Sequence, residues 1–407
     1  MKTQNTKIFG IANLSGLALA LSPATQTRFA NGVGIGEVVL IFSSLICIVT
    51  ILNRGSLKSI KGVNFYFLVV FVCLFTSLLS VLSGYSQGTI SEQWIRQYFF
   101  VGIVVIYPIL VDITYGFKIV ALAVSSFALI TVITNSIFIV LFFINQTQIF
   151  GIDTLYDSLR YQGFSENPNQ CAFALAIAVP IFANDVLRGR YAALYGIPLV
   201  ALGAAAGLAT SSNSLQLCWI LSSSGVLFDF RSEGNHTKSA YNSVRNNFAV
   251  VFKLLVIIGI PVSLGWVGLN WESIYQGNNN NTGDDTDGAV RILLWINAMD
   301  AWLASFMLGH GPGHYSGIPN PFAGTEAHNT FLDFADAYGV LGISSLIFLC
   351  ISNLTKLIRD KNYFLFSVIV AVVLFSCFHF LGRNPIYWFL LWFGSRSLKN
   401  RFVREVA

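Results

Sequence analysis

"KIVALAVSSFALITVITNSIFIVLFFI", Lys118–Ile144, carries one charge at its first position and none after it. No polar face recurs along it at either the helical or the strand period. A segment apolar all round is either buried on every side or bathed in lipid. This one exceeds the ~20 residues that cross a hydrocarbon core, so it tilts or extends past the bilayer. The rest of the chain decides between burial and lipid. Of 407 residues 55% are hydrophobic, 11% are charged and 35 are Phe, with a mean hydropathy of +0.66. A soluble domain of ordinary composition holds about 25% charged residues. Its core could not hide this much apolar side chain, so the chain reads as an all-α, polytopic membrane protein.

Twelve apolar segments are predicted, at about 8–22, 33–52, 63–82, 95–112, 118–144, 169–184, 191–209, 213–228, 250–269, 328–352, 362–380 and 385–397. The N-terminus has the cationic start and apolar stretch of a signal peptide. "SPATQTRFA" (Ser22–Ala30) offers no convincing small-x-small cleavage site, so the segment reads as a retained first span. The positive-inside rule supports the count. With the N-terminus cytoplasmic, nineteen of the 24 Lys and Arg fall on the cytoplasmic side, and both termini lie there. The outer side keeps five: Arg28, Arg96, Arg160, Arg291 and Arg383. All are arginine. Lysine would serve equally at a generic interface, whereas a guanidinium binds phosphate or carboxylate through two parallel hydrogen bonds.

The chain forms one membrane domain, 1–407, with a large outer loop at 270–327 between the ninth and tenth spans. Within it "QGNNNNTGDDTDG" (Gln276–Gly288) reads as a solvated tip. Its Asp284, Asp285 and Asp287 lack the spaced ligands and closing Glu of a calcium loop. An amphipathic helix follows at about 290–307. Ile292, Ile296, Met299, Leu303 and Phe306 form its apolar stripe, and Arg291 sits in its first turn, where free N–H groups favour an anion. "GHGPGHYSGIPNPFAG" (Gly309–Gly324) cannot be helical. His310 and His314 are four apart, but Gly311-Pro312-Gly313 prevents the helix that would make this a metal spacing. Thr325 is placed to cap a helix from Glu326. On that helix His328, Asn329, Leu332, Asp333 and Asp336 share one arc. An imidazole near neutral pKa with carboxylates beside it is the usual general base.

These residues resemble the bacterial O-antigen polymerase/ligase family. The resemblance rests on "RILLWINAMDAWLASFMLGHGPG" with "AHNTFLDFADAYGVLG", and on "LRYQGFSENPNQCAFAL" upstream. In that family an Arg opens an amphipathic helix, a Gly-rich turn follows, and His-Asn begins an acidic-edged span ending in Gly-x-x-Gly. Here these are Arg291, Gly309 to Gly313, His328 with Asn329, and Gly339 with Gly342. Arg160, Gly163, Pro168 and Asn169 match the upstream pattern approximately. One departure is "TSSNSLQ" (Thr210–Gln216), where many members carry Ser-Arg.

The resemblance implies an enzyme of the bacterial cytoplasmic membrane whose active face is extracytoplasmic. It implies transfer of a glycan from a polyprenyl (undecaprenyl) diphosphate carrier to an acceptor hydroxyl, with no cofactor and no metal. His328 would be the catalytic base. Arg291, Arg160 and then Arg383 would bind the diphosphate. Asn329, Asp333, Asp336 and His314 would support, with Asp333 or Asp336 orienting His328. The acceptor is a glycan, for a polymerase, or lipid A-core, for a ligase; the polymerase is favoured as the more numerous and varied group. Membrane lipids and a chain-length regulator are the other expected partners, and the net charge of +5 implies no nucleic acid. The competing class is a polysaccharide or lipid-linked glycan transporter or flippase. Against it, mid-span positions carry almost no ionisable residues, and polar residues cluster on one face. Cys47, Cys73, Cys171, Cys218, Cys350 and Cys377 lie in or beside spans and read as small apolar residues.

Overall fold

A computed structural model describes residues 2–23, 34–54, 64–82, 92–144, 146, 148–149, 151–156, 160–233, 288–312 and 326–396. Among them are twelve α-helices: α1 (Lys2–Leu21), α2 (Ile35–Arg54), α3 (Asn64–Leu82), α4 (Glu92–Tyr115), α5 (Phe117–Phe143), α6 (Pro168–Leu187), α7 (Ala193–Ala209), α8 (Asn213–Glu233), α9 (Gly288–Ala304), α10 (Thr330–Arg359), α11 (Tyr363–Ser376) and α12 (Pro385–Arg396). These are not the twelve predicted spans. Eleven coincide with them, and α9 is the amphipathic helix of the outer loop. The ninth predicted span (250–269), the aspartate-rich tip, Thr325, His314 and Tyr315 lie outside the described residues.

The described fold is mostly helical, in keeping with the all-α expectation, with a small addition. Two short ribbons follow α5: β1 (Gln148–Ile149) pairs antiparallel with β2 (Ile152–Asp153), and β3 (Leu155–Tyr156) with β4 (Arg160–Tyr161). Their physical reason is local. Tyr161 is fully buried and its hydroxyl reaches Asn135 Oδ1 at 3.0 Å, while Gln162 Nε2 donates to the carbonyls of Asp153 and Leu155, each at 3.1 Å. Those anchors draw the loop back on itself.

Among the described residues, four helices are long and apolar enough to cross a membrane: Ile35–Asn53 of α2, α5, α6 and α10. Much of the surface of α2 and α3 is large and apolar, including Phe42, Leu52, Phe71 and Leu78. Soluble proteins rarely expose contiguous patches of this kind, and lipid covers them without cost. The interior is built on α6, which packs against α5, α7 and α8 and is buried along nearly all of its length. Helix α12 has 12 residues, about 18 Å at helical rise, which is short for a span. Every residue from Pro385 to Ser395 is buried in protein. Trp392 Nε1 and Arg396 Nε donate to Asp112 Oδ2 at 3.1 and 2.7 Å and fasten its end to α4.

Helix α9 packs on α10 through buried Leu294 and Ala298. Its predicted apolar stripe points away from the bundle, with Ile296, Met299, Leu303 and Phe306 exposed. The segment after α9 docks onto a break in α10. Gly339 has φ 65 and ψ −166, a conformation open in practice to glycine alone. There the N–H groups of His310 and Gly311 donate to the carbonyls of Asp336 and Ala337 at 2.7 and 2.9 Å, and Val340 N–H donates to Phe306 O at 2.8 Å. A Cβ on Gly339 would lie 2.2 Å from Met307 O, and one on Gly309 2.5 Å from Ala337 C, so both glycines are required by the close approach.

Candidate functional site

The N-terminal ends of α6, α8, α10 and α12 and the C-terminal ends of α7 and α11 meet at one end of the bundle. Their backbone dipoles leave that end positive where helices start. Each predicted side chain is placed there by a local device.

Arg160 lies on β4, beside the buried anchor Tyr161. Its Nε donates to Thr210 O at 3.0 Å, beyond the end of α7, and its guanidinium donates to Asn169 Oδ1 at 3.2 Å. Asn169 is fixed in turn, because Asn167 caps α6 through the Asn169 N–H at 2.8 Å with Pro168 in the first helical position. The stretch Thr210–Gln216, which lacks the basic residue of the resembled family, thus receives one from β4.

His328 precedes α10. The cap of that helix is Asn329, not Thr325, and the first helical residue is Thr330: Asn329 Oδ1 accepts from Phe331 N–H and Leu332 N–H at 3.0 and 3.2 Å. His328 itself stands in the turn at φ 51, on the left-handed side that side chains with a Cβ avoid. Asp333 holds the turn from below. Its Oδ1 accepts from Ala327 N–H at 3.0 Å and its Oδ2 from Asn329 N–H at 3.3 Å, the residues on either side of His328. Asp333 fixes the backbone on either side of His328, and Asp336 sits 2.9 Å from His310 Nδ1, tying the docked segment to α10. The helix starts at Thr330 and not at Glu326, so 326–329 lie ahead of it.

Arg383 pairs with Glu326 and lies over the Phe380 ring at 5.2 Å.

Sequence reasoning missed His379. Helix α11 ends at Ser376, so His379 falls in the turn beyond it and not inside a span reaching 380. The residue is buried, its ring 4.5 Å from Phe375, and its Nε2 is 3.1 Å from Ser214 Oγ. Ser214 Oγ is 3.1 Å from Ser212 Oγ. On the backbone side Thr330 Oγ1 donates to the His379 carbonyl at 2.6 Å and accepts from Leu381 N–H at 2.9 Å. Burial pushes the imidazole down to about 3, and the charges of Arg291, His328 and Arg160 push it the same way. Three cationic or titratable groups from β4, α9 and the turn before α10 therefore act on one buried ring. The signal was present in the sequence: one of five histidines in an otherwise apolar run.

Chemically, the arrangement sets a neutral, buried imidazole, His379, within the electrostatic influence of two fixed positive charges, Arg160 and Arg291, and of a histidine on a strained turn. Among the described residues no cluster of three or more His, Cys, Asp or Glu is gathered for a metal ion. Compared with protein-family models and with curated proteins, the chain finds no match in either.

Proposed function

We propose that the chain is a membrane glycan transferase of the O-antigen polymerase/ligase type. It moves a glycan from a polyprenyl diphosphate carrier to an acceptor hydroxyl at the outer face of a bacterial cytoplasmic membrane, with both termini cytoplasmic. The observation that carries the reading is the convergence on His379 of Arg160, Arg291 and His328, which are far apart in sequence.

The anomeric carbon exchanges its bond to the diphosphate oxygen for a bond to the acceptor oxygen. Negative charge grows on the leaving diphosphate, and preorganised cations in a water-poor site stabilise it most. Arg160 and Arg291 take that role. The acceptor oxygen loses its proton as it attacks, and the His328 imidazole receives it. The strained φ of His328 suits this use, since backbone strain gathers where a side chain must be aimed. The acceptor is a second lipid-linked repeat unit in a polymerase and lipid A-core in a ligase, and we favour the former.

Purified protein supplied with lipid-linked donor and acceptor tests the reading. Transfer is expected in wild type and lost in His328→Ala. Full transfer by His328→Ala would overturn the mechanism. Single-repeat surface glycans in a deletion strain would indicate a polymerase, and full-length chains stranded on the carrier a ligase.

A further inference from the structure

We propose that His379 is a positioning residue: an uncharged joint that holds the Arg160 loop and the His328 turn at a fixed spacing, so that an anionic donor and its acceptor are presented in register. The proposal rests on the transferase reading for its purpose and on hydrogen bonds for its existence.

Two walls of the site meet at this residue. On one side, Thr210 to Ser214 joins α7 to α8; its Thr210 carbonyl receives Arg160 Nε at 3.0 Å, and its Ser214 hydroxyl is 3.1 Å from His379 Nε2. The loop bends through Ser211 at φ 54, so it needs an outside contact to keep its shape. On the other side, Thr330 bridges the His379 carbonyl and the Leu381 N–H, and Thr330 is two residues from His328. The contact of Ser214 with the His379 ring thus joins the 210–214 loop to the wall that carries His328. The ring is seated on Phe375 at the end of α11, so its angle is set by packing as well.

The joint has to be neutral. Arg160 from β4 and Arg291 from α9 both bear on it, as does His328 when it has taken up a proton, and a further charge there would repel them. A neutral imidazole meets the need because it can accept from a hydroxyl, or donate to one, without carrying charge. An amide of similar reach would also serve. Alanine would take from the Ser214 hydroxyl its contact across to this wall and leave it Ser212 alone, and lysine would add the charge the site rejects.

The experiment uses the full chain in lipid nanodiscs. Variants are His379→Ala, His379→Gln and Ser214→Ala, each checked for folding by thermal unfolding. Two readouts are taken: donor KM and kcat across pH, and amide exchange in 160–162, 210–214 and 379–384. Loss of one buried hydrogen bond is worth about tenfold in an equilibrium. His379→Ala and Ser214→Ala should therefore raise donor KM and speed exchange at those segments about tenfold each, with kcat falling less. His379→Gln should recover most of both and leave the pH profile in place. Unchanged exchange in folded His379→Ala would overturn the joint, even if wild type transferred no glycan, an outcome that would sink the transferase reading alone. Loss of kcat with a displaced pH profile in His379→Gln would also overturn it, by making His379 a proton carrier.

Discussion

Asp333→Asn isolates what the strained turn at His328 contributes. The substitution keeps shape and volume, so it opens no cavity. In the native protein both carboxylate oxygens accept from backbone N–H groups, Ala327 at 3.0 Å and Asn329 at 3.3 Å. An amide has one acceptor oxygen, so one of the two N–H groups would face an NH2. A buried donor left unsatisfied costs about 1–3 kcal/mol. Holding a residue with a Cβ in the left-handed region costs about 1–2 kcal/mol. The lost bond is thus as large as the strain it opposes, and the turn relaxes. At tenfold per ~1.4 kcal/mol, the aligned state of His328 falls about five- to 150-fold relative to relaxed states. The assay is glycan transfer at saturating donor. A fall in kcat of about ten- to a hundredfold is expected, on the scale of that population loss, with donor KM little changed because Arg160 and Arg291 are untouched. The helix cap survives through Asn329 Oδ1, so unfolding should shift only modestly. Wild-type kcat in Asp333→Asn would refute the claim that the turn is held against strain for function.

Three further outcomes are expected. Gly339→Ala should lower stability by at least about 2 kcal/mol from backbone conformation alone, since its Cβ would also meet Met307 O; thermal unfolding in detergent measures it. His379 is held down to about 3 against an ordinary 6.5, so between those values the unfolded chain binds a proton the folded one refuses. Stability is complete above pH 6.5 and falls as pH drops, and from 6.5 to 5 wild type should lose about 2 kcal/mol more than His379→Gln. Arg383→Lys should keep more transfer activity than Arg160→Lys, since Arg383 answers Glu326 through an ion pair that lysine can also make, whereas Arg160 bonds in two directions, to Thr210 O and Asn169 Oδ1. Equal loss in the two lysine variants would give Arg383 the same weight as Arg160 in binding the anion.

Hydropathy located the helices because lipid-facing and core-facing side chains are both apolar, and the signal depends only on that. The same blindness hides the fact that α12, a short apolar segment, is buried in protein along its length. Arg160, Arg291 and His328 were legible as exceptions, a charge or a titratable ring where the neighbours are not. Their partners were not legible. Nothing in the local sequence says that Asp333 bonds backward to Ala327 and Asn329, or that Asp336 faces His310 across the docked segment. Those pairings follow from where α10 starts, and Thr325 and Asn329 are both residue types that cap helices. His379 stayed hidden because its helix ends four residues earlier than hydropathy suggests, which moves it from lipid depth to the floor of the site.

The break at Gly339 also bears on how this chain is assembled. An unbroken apolar helix carries its own hydrogen bonds into lipid and can be inserted alone. Helix α10 depends on donors and acceptors from elsewhere: the Ala337 carbonyl on Gly311 and the Val340 N–H on Phe306. Those residues lie upstream, so synthesis delivers them before α10 emerges. α9, its trailing segment and α10 therefore form a unit of biogenesis, and truncation between them would strand a span that cannot settle by itself.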